Sequence, residues 1–156
     1  MRTFSLLKEI PVFQLNDGKA IGSVKDLCLN NEGTIKGLVI NRKGWFSKQA
    51  MVPIDLVQAF GNDGVMIESE DCLQCHNKKA HSFMHPHRGI YGKPLLSAEG
   101  EKLGLIEDVY FNEELGTILG YEVTEGFFAD LKEGRKVVKT DKPLVYGKDV
   151  LFVHMK

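Results

Sequence analysis

The sequence is poor in the features that mark catalysts, membrane proteins and secreted scaffolds. No apolar run approaches the ~18–20 residues that a membrane-spanning helix needs. The opening stretch, MRTFSLLKEIPVFQL, is broken by Lys8, Glu9 and Pro11, so it lacks the continuous apolar centre of a secretory signal. Three cysteines in 156 residues make no disulfide framework. These absences point to a cytoplasmic chain whose thiols are free or bound to metal. Neither sign of charge dominates. The formal net charge is −1, so there is no global field to hold nucleic acid or an anionic membrane. There is no G-x-S-x-G elbow, no P-loop and no H-E-x-x-H helix. Neither an enzyme nor a small-molecule substrate is expected.

What the chain has is an internal repeat. DGKAIGSVKDLCLNNEGTIKGLVI (Asp17–Ile40) aligns with EGEKLGLIEDVYFNEELGTILGYEV (Glu99–Val123). Gly18, Gly22, Asp26 and Asn30 match Gly100, Gly104, Asp108 and Asn112. After one inserted residue, Gly33-Thr34-Ile35 and Gly37 match Gly116-Thr117-Ile118 and Gly120. An aromatic turn follows in each copy, Gly44-Trp45-Phe46 and Gly126-Phe127-Phe128. The repeat sets the domain plan: one unit over residues 1–69, a Cys/His-rich linker over 70–88 with no counterpart in either unit, and a second unit over 89–156.

Both units read as strands. IPVFQL, GSVKDLCLN, TIKGLVIN, AMVPIDL and GVMIES are short, rich in Val, Ile and Leu, and separated by Gly, Asn and Asp. GKPLLS, GLIEDVYFN, TILGYEVT, RKVVKT, PLVYG and DVLFVHM form the matching set. No long amphipathic helix is evident, and VPIDLVQAFG reads as a one-turn connector. Units this small have little core to spare for exposed strand edges, and closing a sheet on itself removes the edges. The expected fold is therefore all-β, two tandem small β-barrels joined by the linker.

These residues resemble the PRC-barrel family in two tandem copies. The resemblance rests on Pro11, Gly18, Gly22, Asp26, Gly37, Val52-Pro53 and Gly61 in the first copy, and on Pro94, Gly100, Gly104, Asp108, Gly120 and Gly147 in the second. The second copy has KVVKTDKP where the first has the Val-Pro. The family includes the cytoplasmic domain of the photosynthetic reaction-centre H subunit and a maturation factor for the small ribosomal subunit. The resemblance implies an assembly or adaptor module that binds another protein. The separate N-terminal domain of the maturation factor is not present in this sequence, so that specific role does not carry over. An accessory role in RNA processing or ribosome maturation stands as an alternative.

Two groups of residues are candidates for chemistry or binding. The first is the run EDCLQCHNKKAHSFMHPH (Glu70–His87), with two of the three cysteines and four of the five histidines. Cys72-Leu-Gln-Cys75-His76 matches a haem-attachment motif, but the flanking NKKAHSF is too polar to wrap a haem. Cys72, Cys75, His81 and His85 give C-x2-C-x5-H-x3-H, four soft ligands spaced for a tetrahedral zinc, with His76 and His87 as substitutes. A metal would supply folding energy that so polar a segment cannot obtain by burial. The competing readings are a reversible dithiol, making the protein metal- or redox-responsive, and a plain solvated linker. The second group is aromatic: Trp45, Phe46, Phe127 and Phe128 form either a paired docking surface for a protein partner or plugs over the barrel ends. Asp26 and Asp108 read as acceptors of backbone N–H bonds. Cys28, in an apolar strand, reads as a wall residue.

Overall fold

The computed structural model describes residues 1–44, 48–77, 79–125, 134–147 and 149–155. The chain opens with β1 (Arg2–Thr3) and one helical turn, α1 (Phe4–Leu7). The first unit continues with β2 (Pro11–Gln14), β3 (Ala20–Leu29), β4 (Ile35–Arg42), β5 (Gln49–Pro53), β6 (Val57–Phe60) and β7 (Val65–Ile67). A 3-10 turn, Ile54–Leu56, occupies the connector that the sequence suggests. Next come a second 3-10 turn, Glu70–Cys72, and two short strands, β8 (Gln74–Cys75) and β9 (His81–Ser82). The second unit holds β10 (Pro94–Ser97), β11 (Lys102–Phe111), β12 (Ile118–Thr124), β13 (Lys136–Lys139), β14 (Val145–Tyr146) and β15 (Leu151–Val153).

The two sheets follow one plan. The first runs β6-β7-β2-β3-β4-β5-β8 and the second β14-β15-β10-β11-β12-β13. Laid side by side, every strand of the first order has its counterpart in the second except β8. Even the irregularities repeat: β3 is bulged between Val24 and Asp26 and β11 between Ile106 and Asp108. A bulge shifts the side-chain alternation by one residue. Here it sets both aspartates on the outer face, Asp26 opposite Val39 and Asp108 opposite Glu122, where the segments bonded to them leave them 8% and 4% exposed.

The all-β, two-unit architecture is present, and each sheet is curled into a half-barrel. The apolar faces that full closure would have buried are instead shared. One core cluster contains Val12, Val24, Leu38 and Ile67 of the first unit together with Leu95, Ile106, Tyr121 and Val153 of the second.

The units are joined by exchanged segments, which revises the expected linker. β1 pairs with β11 of the second unit, Arg2 opposite Phe111 and Thr3 opposite Tyr110. β9 pairs with β3 of the first, His81 opposite Leu29 and Ser82 opposite Cys28. Since Cys28-Leu29 and Tyr110-Phe111 are equivalent, His81-Ser82-Phe83 is the counterpart of Arg2-Thr3-Phe4. The match continues past a small insertion. Glu9 (φ 69°) donates its N–H to Val24 O, and Gly92 (φ 76°) donates to Ile106 O. Residues 81–90 are thus the lead-in of the second unit, not a segment without a counterpart. Each unit's lead-in straps the other. The two straps meet at the centre, where the rings of Phe4 and Phe83 pack edge to face at 5.1 Å.

The bulge aspartates fasten the straps. Asp26 Oδ1 accepts from the N–H groups of Phe83 (3.2 Å) and Met84 (2.8 Å), besides its neighbour Leu27 (2.7 Å). Asp108 Oδ1 accepts from Ser5 N (3.1 Å), and its Oδ2 accepts from Ser5 Oγ (2.5 Å). These are backbone-anchoring roles, as the sequence suggests. The repeated turn glycines also lie where the units touch. Gly33 and Gly116 have φ of 75° and 72°. A Cβ on Gly33 would stand 2.7 Å from Leu144 N, and one on Gly116 would stand 2.5 Å from Ile35 O.

Candidate functional site

The structure places the Cys/His residues along the first unit and not around a point. Cys72 ends a 3-10 turn and packs half-buried against the common core. Cys75 is exposed in β8, opposite Ala50 of β5. His81 lies in β9 with its ring stacked on Tyr146 of the second unit, 3.9 Å between centroids and 2° between planes. His85 Nδ1 accepts from the N–H groups of His87 (3.1 Å) and Arg88 (3.2 Å). His76 lines a cleft with Lys25, Asp26, Val39, Met84 and His85. Among the described residues, no three His, Cys, Asp or Glu side chains come together as a metal would require. The segment's polar residues are spent on strand pairing, a turn and a stacking contact. The aromatic candidates Trp45, Phe46, Phe127 and Phe128 lie outside the described residues.

What distinguishes the two halves is the treatment of one pair of equivalent faces. In the first unit β8 adds antiparallel to the edge of β5, Ala50 opposite Cys75 and Met51 opposite Gln74. Beyond it, Ala80 packs over Cys28, Val39 and Met51 on the outer side of the sheet. Cys28 and Met51 are left only 3% and 4% exposed. Burial pushes the Cys28 thiol above its ordinary pKa, which holds it in the unreactive protonated form. Cys28 is a wall residue, as its apolar strand suggests.

In the second unit the same positions are Tyr110 and Val137, and the place of Ala80 is taken by Met1. Among the described residues no strand is laid against β13 on the side away from β12. A cleft of about 410 Å³ opens there, lined by Met1, Tyr110, Leu119, Gly120, Val137, Lys139 and Thr140. Val137 is 48% exposed and Leu119 38%. The first unit has the charged Lys36 at the position of Leu119, while Glu122 and Lys139 stand where the first unit has Val39 and Pro53, so the cleft is apolar at its centre and charged at its margin. The reading of the sequence did not single out Leu119, Tyr110 or Val137. The available signal was the segment inserted between the repeats, which covers a face of the first unit.

No helix among the described residues is long and apolar enough to cross a membrane. A family model described as PRC-barrel domain matches the chain twice, over residues 1–71 and 86–154. The interval between the matches is the segment that carries β8 and Ala80. The chain is also similar to the "Uncharacterized protein YrrD" of Bacillus subtilis (strain 168), 25% identical over 148 residues, which cover 93% of this chain and 82% of that protein. The two matches take in nearly the whole repeat structure, and the chain belongs to the PRC-barrel domain family, in two copies.

Proposed function

We propose that this protein is a non-catalytic adaptor that binds another protein through the cleft beside β13. The observation that carries the reading is the contrast between equivalent faces: the chain covers one with its own segment, and among the described residues the other is an open cleft lined by Tyr110, Leu119 and Val137. A contiguous apolar patch at a sheet edge marks a protein-interaction site better than scattered exposed residues do. Tyr110 in the lining supports it, because tyrosine is enriched at interface cores and hot spots.

The test is cross-linking of the tagged protein in its own cell extract, identification of the attached protein, and measurement of its affinity for the purified chain. Leu119→Asp lies on the surface of β12 and leaves the core intact. It is expected to weaken binding at least tenfold while leaving the melting temperature within a few degrees. Affinity unchanged in Leu119→Asp and in Val137→Asp would place the docking surface elsewhere.

A further inference from the structure

We infer that Cys72 and Cys75 form an oxidation site for low-molecular-weight disulfides, and that closing their bond releases β8 from β5 and uncovers the outer face of the first unit. The inference stands apart from the docking reading above. The folded segment keeps the two thiols apart. Their Cα separation is set by the dihedrals of Leu73 and Gln74. Leu73 is extended (φ −77°, ψ 138°), and Gln74 lies in the β8 ladder opposite Met51. Two extended residues between them put the Cα atoms roughly 9–10 Å apart. Positions three apart on an extended segment also face opposite ways. Accordingly, Cys72 packs against the common core while Cys75 is exposed. A disulfide needs the two Cα atoms within about 7 Å. Leu73 and Gln74 must therefore fold into a turn, whose ends lie that close. A turn at Gln74 cannot stay paired with Met51, so the bond and the β8 ladder exclude each other.

The neighbouring contacts confine the change to this segment. Upstream, the Glu70 N–H donates to Oε1 of the buried Gln14 (2.7 Å). Downstream, Asp26 holds the N–H groups of Phe83 and Met84. Between these pins the β8 ladder has two residue pairs, Ala50 with Cys75 and Met51 with Gln74. So short a ladder opens at far lower cost than the long β3–β4 pairing behind it. Its opening bares the β5 edge and loosens the Ala80 cover over Cys28, Val39 and Met51. The chemistry is thiol–disulfide exchange. The exposed Cys75 thiolate attacks the small disulfide, forms a mixed disulfide and releases one small thiol. The Cys72 thiolate then attacks Cys75 Sγ and expels the second. Two protein thiols lose two protons and two electrons, and the S–S bond of the reagent is reduced to two thiols. Cys28, buried beneath Ala80, takes no part and serves as a reporter.

The experiment treats the full chain with oxidised glutathione. Peptide mapping by mass spectrometry is expected to find a Cys72–Cys75 link. Hydrogen exchange at Ala50 and Met51, and maleimide labelling of Cys28, are each expected to speed at least tenfold over the reduced chain. Exchange at Lys102–Phe111 is expected to stay unchanged. Cys72→Ser stops at the mixed disulfide on Cys75 and is expected to show neither acceleration. Failure to form the link overturns the site. A link that leaves exchange at Ala50 and Met51 slow overturns the release of β8. Equal acceleration in Cys72→Ser assigns the effect to bulk on Cys75 and overturns the switch. Acceleration that spreads to Lys102–Phe111 shows global unfolding and overturns a local release.

Discussion

Asp26 shows what a single residue contributes here. Its carboxyl is buried beneath the strap and accepts three backbone N–H bonds. Burial raises its pKa above the ordinary carboxylate value, although bonds from Met84, Leu27, Ser82 and Phe83 pull the other way. The folded state therefore holds this proton more tightly than the unfolded state. The associated stability is fully present below the ordinary carboxylate pKa and is lost as pH rises through the raised one. Asp26→Asn keeps an acceptor without the charge. It is expected to melt above wild type at neutral pH, with the difference closing as pH falls below the ordinary carboxylate range, in thermal melts across that window. Asp26→Ala leaves the Phe83 and Met84 donors buried without an acceptor and is expected to cost about 1–3 kcal/mol at low pH, and less as pH rises. Tyr121 is a second case, fully buried with its hydroxyl unpartnered among the described residues. Tyr121→Phe removes a desolvated polar atom and keeps the ring, so it is expected to raise stability by about 1 kcal/mol in denaturant titration. The sequence showed that Asp26 and Asp108 were equivalent and structural. It did not show what they hold, because their partners lie far away along the chain.

At the scale of elements, the repeated strands were legible because their glycines and apolar alternation recur in order. The straps were not. A two-residue strand has no periodicity to read, and only the pair Thr3-Phe4 and Ser82-Phe83 marks the equivalence. The residues between Met84 and Gly89, absent from the N-terminal copy, hide the rest. The concentration of Cys and His in the same stretch drew attention to metal, while Phe83 in its midst is 1% exposed and central to the core. Phe83→Ala is expected to cost about 3–5 kcal/mol, measured by denaturant unfolding, which a solvated linker would not show. The turn glycines give a matching test. Gly33→Ala and Gly116→Ala each demand a positive φ of an L side chain and push it into backbone of the other unit. Each is expected to cost upwards of ~2 kcal/mol. Both should lower the midpoint of the same transition, since each glycine stands at the contact between the halves.

For the molecule as a whole, the repeat suggests two separable domains, whereas the packing is that of a two-fold dimer written into one chain. Equivalent residues meet across the centre, as in an isologous interface, and the core does not divide. Calorimetry is expected to give one transition whose van't Hoff and calorimetric enthalpies agree. Two resolved transitions would show the halves to be independent. The sequence carried the two-fold relation in its repeat. It concealed the exchange, because a repeat looks the same whether its units stand apart or trade their first residues.

That exchange bears on how the protein is made. Chains generally fold as they leave the ribosome, N-terminal domain first. Here Arg2 and Thr3, made long before the second unit, belong against β11, and Asp108 must arrive before Ser5 has its acceptor. The first unit likewise waits for Phe83 to close over Asp26. Until then Phe4 and Leu7, both buried in the finished protein, remain without their site. Until β11 has been made the nascent chain exposes this apolar segment, a target for ribosome-associated chaperones that a protein of two independent barrels would not present.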